Sequence, residues 1–426
     1  QDQISEDIER SLTIGYDLSE TVKAFLSGED LVGFAATLAL YSKAKARAWR
    51  AASGRGPGVP GANPAFADWD VRSAEGALVA VYLDGTSVTA ARVHESPRLV
   101  RKSFTAGDAS AWWRRYRVSC LSGVGVQHAL EELADVTGIG ELVSECHSAP
   151  VRLLPFGRLS ALPLADCVTR ELGLRGLPVV THLAGGPFQH RVRYAKAPGS
   201  LSGGSVAVVA PPNVLGASPL PFAQAEAAIV SQLTGARFKV ASAYGERAGL
   251  LRMLDSLGDD GPAVWHFACH GSVVPRLHGG SSGALVLVDH EYLDSAAIAQ
   301  CADAQVLVCS ACDIAATPPT AESTSWPRLA VYGGAQQVVA ASRPVSDPVT
   351  LALMAKFYEA WGAGADIEAA LCSSQRWVEQ AEPSAVDSTL QAVGLRDGLR
   401  DAVLDEIVSQ RESGQVDPWA FAVFTA

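Results

Sequence analysis

Two short runs constrain this chain most: Val264-Trp265-His266-Phe267-Ala268-Cys269-His270-Gly271 and Val306-Leu307-Val308-Cys309-Ser310-Ala311-Cys312-Asp313. Each is apolar, rich in β-branched residues and ends abruptly in a reactive side chain, the pattern of a buried parallel strand that delivers chemistry to the carboxyl edge of a sheet. One strand ends in His270, the other in Cys312. A cysteine becomes a strong nucleophile when an imidazole takes its proton or stabilises the thiolate, so the pair points to a thiol hydrolase.

The surrounding sequence supports a sheet of that kind. Ser205 to Ala210 reads as a strand, Ala223 to Leu233 as a helix, Phe238 to Val240 as a strand and Glu246 to Leu257 as a helix, followed by the His270 strand. Ala284 to Val288, a short helix around Asp294 to Gln300 and the Cys312 strand continue this α/β sandwich rhythm. Earlier, Gly76 to Val93 alternates around Asp84-Gly85 as a β-hairpin, and helices are expected near Trp112 and Trp113 and from His128 to Val136. Residues 54–64 are a Gly/Pro-dense linker that sustains neither helix nor central strand. Before it, residues 1–53 form a helical segment whose second helix, Asp30 to Trp49, begins with an Asp30 cap. A lone helical pair cannot bury its own apolar face, so it either docks on the body or continues an upstream helical array, and docking is the expectation because no self-similar repeat is present.

With 426 residues the chain exceeds the size at which single cores usually split, so more than one unit is expected. A net charge of −11 argues against a nucleic-acid footprint and suits a basic protein or peptide partner. The eight cysteines show neither a paired metal spacing nor a small disulfide framework, and a nucleophile needs a free thiol, so a reducing cytoplasm is expected. The longest apolar stretch, Leu31 to Tyr41, is too short to span a membrane, and no signal peptide is visible.

His270-Gly271 followed 42 residues after His270 by Ser310-Ala311-Cys312 and an acid resembles the CHAT domain, a bacterial branch of the caspase and separase clan of cysteine proteases. Further segments fall in the order of that family. Leu154 to Leu164 resembles its hairpin, Gly334 to Asp347 the strand and loop after the nucleophile, Leu353 to Tyr358 a helix, and Pro418 to Phe424 the final strand. The resemblance, over about 150 to 426, implies a caspase-like αβα sandwich with a mostly parallel sheet. In that clan a degenerate caspase-like half often precedes the active one; residues 65–200 can hold it, with 201–426 as the protease half.

What the resemblance implies for mechanism is a Cys-His dyad: Cys312 attacks, His270 moves the proton, and the backbone N–H groups of Gly271 and Cys312 form an oxyanion hole. No cofactor and no metal are expected. Implied partners are a protein substrate, such as a gasdermin-like or other neighbouring effector, and a regulatory sensor domain or subunit, in a bacterial stress or antiphage cell-death pathway. Neither nucleic acid nor membrane is expected to bind directly.

Other readings of the same residues stand beside this one. Cys269, Cys301 and Cys309 read as core packing, and His266, inside its apolar run, as a satisfied structural histidine. His266, Cys269, His270, Cys309 and Cys312 could instead converge on zinc, although the usual Cys-x₂₋₄-Cys clip is absent. A catalytically silent peptide-binding scaffold is a further alternative. For specificity, Asp313 and Asp347 favour a basic residue before the scissile bond, whereas Arg343 favours an acidic one. Val274 to Gly283 and Asp313 to Trp326, rich in Gly, Pro, Ser and Thr, read as loops that carry substrate contacts or an activation element.

Overall fold

The computed structural model describes residues 30–36, 38, 76–83, 86–94, 96–148, 150–182, 206–210, 219–236, 238–240, 264–275, 281–287, 292–293, 306–312, 315, 317–319, 325–333, 335–415 and 417–425. The linker 54–64, the helix expected over Glu246 to Leu257 and the one around Asp294 to Gln300 lie outside them.

Strands β1 (Ala77–Leu83), β2 (Ser87–Arg92) and β3 (Arg98–Ser103) form an antiparallel meander. The expected hairpin around Asp84-Gly85 is the β1–β2 pair, although its turn lies outside the described residues. Helix α1 (Ala106–Ser122) follows, started by a reciprocal cap in which Thr105 and Asp108 bond each other's backbone N–H. Next come α2 (Val126–Thr137), α3 (Ile139–Val143), β4 (Val151–Pro155), a 3₁₀ turn (Gly157–Ala161), α4 (Asp166–Leu174) and β5 (Val179–His182). Leu154 to Leu164 is therefore not a hairpin. Its first residues belong to β4, which is parallel to both neighbours, β1 and β5, and the prolines at 155 and 163 bound a 3₁₀ turn rather than a strand return.

The second part begins with β6 (Val206–Val209), α5 (Pro221–Thr234), β7 (Phe238–Val240) and β8 (Val264–Ala268). Then β9 (His270–Pro275), β10 (Ser281–Val286) and β11 (Tyr292–Leu293) make a separate three-stranded antiparallel sheet. So the segment from Ala284 leaves the α/β rhythm instead of continuing it, and both ends of Val274 to Gly283 are strand rather than loop: Ser281 pairs with Pro275 and Gly283 with Val273, while residues 276–280 lie outside the described residues. The main layer resumes with β12 (Val306–Ser310), α6 (Trp326–Gly333), β13 (Gln337–Ala341) and α7 (Asp347–Gly362). It ends with α8 (Ile367–Gln380), α9 (Pro383–Ala392), α10 (Asp397–Ser413) and β14 (Phe421–Thr425). The final strand starts at Phe421; Asp417 to Ala420 form a 3₁₀ turn.

One eleven-stranded sheet runs in the order β3-β2-β1-β4-β5-β14-β13-β12-β8-β6-β7. From β1 to β7 every neighbour pair is parallel except β14–β13. Strands buried on both faces explain why β6, β8 and β12 read as unbroken apolar runs. The period of two sorts their residues between two cores. Trp265, Phe267, Leu307 and Cys309 face a cluster with α1, α2 and Trp326, while Val264, Val306 and Val308 face one built on α7. Helix α7 is apolar on nearly every side because it is buried under α5, α8 and α10. The helix at 31–36 begins as expected, with Asp30 Oδ1 accepting from the Gly33 N–H at 2.8 Å, and Phe34 and Leu38 pack on β1 residues Leu78 and Ala80. The result is a mixed α/β architecture of the caspase-like αβα kind.

Candidate active site

Strands β8 and β12 are adjacent and parallel, with Ala268 opposite Ser310 as the last paired residues. His270 and Cys312 each lie two residues past that pair, so both follow the carboxyl ends of neighbouring strands. Strand β8 itself stops at Ala268; Cys269 is a buried kink and His270 opens β9, where His270 pairs with Val286 and Gly271 with Leu285. His270, Gly271 and Cys312 are all half-buried, whereas Cys269 and Cys309 are buried in the core and burial pushes the Cys269 thiol up.

The sulfur of Cys312 contacts the backbone of Val345. The Val345 N–H points at Sγ from 3.4 Å, and the thiol points at the Val345 carbonyl at 3.7 Å. An amide N–H directed at sulfur favours the thiolate. Val345 belongs to the loop 342–346 between β13 and α7, and that loop is pinned at several points. Ser342 donates from its N–H to the Ala420 carbonyl at 3.1 Å and from its hydroxyl to Asp166. Asp417 accepts from Arg343 Nη1 at 3.0 Å, from the Ser346 N–H at 2.9 Å and from Gln410 Nε2 at 2.8 Å. Beyond the loop lies a cavity of about 350 Å³, with Val345 and Arg343 in its wall.

The three residues expected to read the substrate are placed differently from one another. Arg343 is buried, pairs with Asp417 and lies 4.0 Å from Asp166, so its cation is engaged inside the protein. Asp347 opens α7 and accepts from the Phe222 N–H at the start of α5 at 3.1 Å; burial, helped by Glu226, lifts its carboxyl to about 7. Asp313 lies outside the described residues. His266 is fully buried, with Nε2 2.8 Å from Glu226 and Nδ1 3.1 Å from the Tyr358 hydroxyl, which is the satisfied structural histidine expected of it. Those contacts spend both ring nitrogens. Among the described residues there is no group of three or more His, Cys, Asp or Glu that could hold a metal.

Sequence reasoning missed Val345, Asp417 and Asp166. Val345 acts through its backbone, and the two acids meet the loop from 71 to 176 residues away, so no local spacing marks them.

Residues 141–424 match the family model described as the CHAT domain. The chain belongs to the CHAT-domain family. The domain is of the caspase-like clan CD cysteine peptidase type, and the match takes in β4 to β14 with α3 ahead of them. No curated protein matches the chain. Within this CHAT domain, the edge where His270 and Cys312 emerge lies on the half of the sheet that follows residue 200. No helix among the described residues is long and apolar enough to cross a membrane.

Proposed function

We propose that this CHAT-domain protein is a cysteine endopeptidase that cleaves a protein partner through a dyad of Cys312 and His270. The observation that carries the reading is the shared two-residue offset of these side chains past the Ala268–Ser310 pair. Cys312 Sγ bonds to the scissile carbonyl carbon, the C–N bond breaks, and His270 passes the thiol proton to the departing amine, a transfer worth ~10²–10⁴-fold. Water then hydrolyses the thioester. The backbone N–H groups of Gly271 and Cys312 serve the tetrahedral oxyanion, and Gly271 suits close approach because it has no Cβ. Family membership supports a cytoplasmic setting, a regulatory sensor domain or subunit, and a neighbouring effector such as a gasdermin-like protein as substrate, in a stress or antiphage response.

The test is mutational. Cys312→Ala and His270→Ala should each lower cleavage of the partner by at least ~10³-fold with the thermal midpoint unchanged, while Cys309→Ala should affect stability and leave the active protein's turnover intact. A chelator should change neither folding nor cleavage. Equal losses for all three variants, or activity that disappears with the chelator, would contradict the assignment.

A further inference from the structure

The cavity beyond loop 342–346 is lined by neither His270 nor Cys312. It falls in the size range of small-ligand and side-chain pockets, and three separate parts of the chain wall it: 120–127, 343–346 and 406–417. We propose that it receives a positively charged side chain of the substrate, lysine or arginine, on the acyl side of the scissile bond, with Glu406 as its charge partner. This rests on the cysteine-protease reading and adds to it where the substrate lies and what it carries.

Direction follows from the order of the sheet. Cys312 stands on β12, between β8 on one side and β13 on the other. The departing amine must lie at His270, on the β8 side, because that residue protonates it. The acyl half of the substrate therefore runs the other way, toward the loop after β13. Val345 links the two places: its backbone contacts Cys312 Sγ and it also lines the cavity.

Charge follows from which groups are already spent. Among the described residues, the charged groups in the wall are Arg343, Glu406 and Asp417. Arg343 and Asp417 neutralise each other at 3.0 Å, and Asp417 also accepts from Ser346 and Gln410. Glu406 is left as the net charge, accepting from the Gln410 amide at 2.9 Å. An acidic substrate residue would meet that carboxylate and find the Arg343 cation engaged. A lysine or arginine would lay its methylenes along Val126, Pro344 and Val345 and bring its charge to Glu406.

The test uses peptidyl acyloxymethyl ketones that carry lysine, glutamate or norleucine in turn at each of the four positions before the warhead. Labelling rates at Cys312 are compared by mass spectrometry. At one position lysine should react about tenfold or more faster than norleucine, the size of one charged hydrogen bond. Glu406→Gln, which keeps the acceptor for Gln410, should bring that ratio close to one, and Glu406→Lys should turn the preference to glutamate. The ratio is internal to each variant, so a general loss of reactivity does not imitate the effect. A preference for glutamate in the native chain, parity at every position, a lysine preference that Glu406→Gln leaves in place, or no labelling by any peptide would overturn the pocket assignment. Iodoacetamide reports separately on the dyad: if it does not modify Cys312 ahead of the other cysteines, the protease reading fails instead.

Discussion

Asp166 shows what burial does to a single residue in this molecule. It lies in the core beside Ser342 and Arg343, and burial raises its carboxyl to about 7 even though the Arg343 cation and the Ser342 hydroxyl pull the other way. An unfolded aspartate titrates near ~3.9, so between roughly pH 4 and 7 the native chain holds a proton that the unfolded chain has released. Stability therefore falls as pH rises through that window and levels off above it. Asp347, also raised to about 7, acts in the same direction. Asp166→Asn removes one of the two titrations, so its urea midpoint should drop less than the native one between pH 5 and pH 8. Only about two units of the shift fall inside that range, so the ceiling on the difference is about 3 kcal/mol before relaxation, at ~1.36 kcal/mol per unit. An identical drop in both proteins would show that Asp166 titrates normally. None of this is visible in the sequence, where Asp166 is one acid among many. His266 was legible, because a histidine within an unbroken apolar run has to find buried partners, and Glu226 and Tyr358 are those partners.

At the scale of elements, the device that matters is the loop 342–346 and its anchor on the 3₁₀ turn at Asp417. Asp417→Asn keeps the size of the side chain but removes the charge that holds Arg343, leaving a buried cation poorly matched. We expect a stability loss of about 1–3 kcal/mol and a looser Val345. Because the Val345 N–H favours the thiolate, the alkylation rate of Cys312 plotted against pH should move to higher pH. A destabilised variant with an unshifted profile would make Asp417 purely structural. Strands β6, β8 and β12 were readable as apolar, β-branched runs, and α1, α2 and α5 as helices. The β9–β10 hairpin was not, because Gly, Ser and Pro in Val274 to Gly283 are typical of loops and the pairing of Gly283 with Val273 is not a local preference. Helices α8 to α10 carry no sequence assignment, although Asp366 caps α8 by accepting from the Ala369 N–H at 2.7 Å. The offset of His270 and Cys312 was foreshadowed by two strands ending alike; the clasp on the sulfur was not, since backbone groups carry no signature.

For the whole molecule, the proposed halves, 65–200 and 201–426, share one sheet. They meet where β5 runs parallel to β14, with Val180 opposite Val423, and the contact extends through helices: Arg170 pairs with Glu379 at 2.7 Å, and a Cβ on Gly173 would come within 2.1 Å of the Trp419 ring. A fragment starting at residue 201 would present β14 as an open apolar edge in place of this seam. It should aggregate, and co-expression with residues 30–182 should recover a soluble complex, as judged by size-exclusion chromatography. A monomeric, cooperatively unfolding 201–426 fragment would show that the halves are independent.

The position of β14 also bears on how the protein is made. It lies in the interior of the sheet, between β5 and β13, yet 238 residues separate it from the first and 79 from the second, and the turn that carries Asp417 precedes it directly. As the polypeptide emerges from the ribosome, Cys312 and His270 are exposed to solvent well before the strand that closes the sheet or the acid that fixes their loop has been translated. A nascent chain therefore carries the thiol without its clamp, and the geometry at Sγ is completed only after the Asp417 turn and β14 have been synthesised.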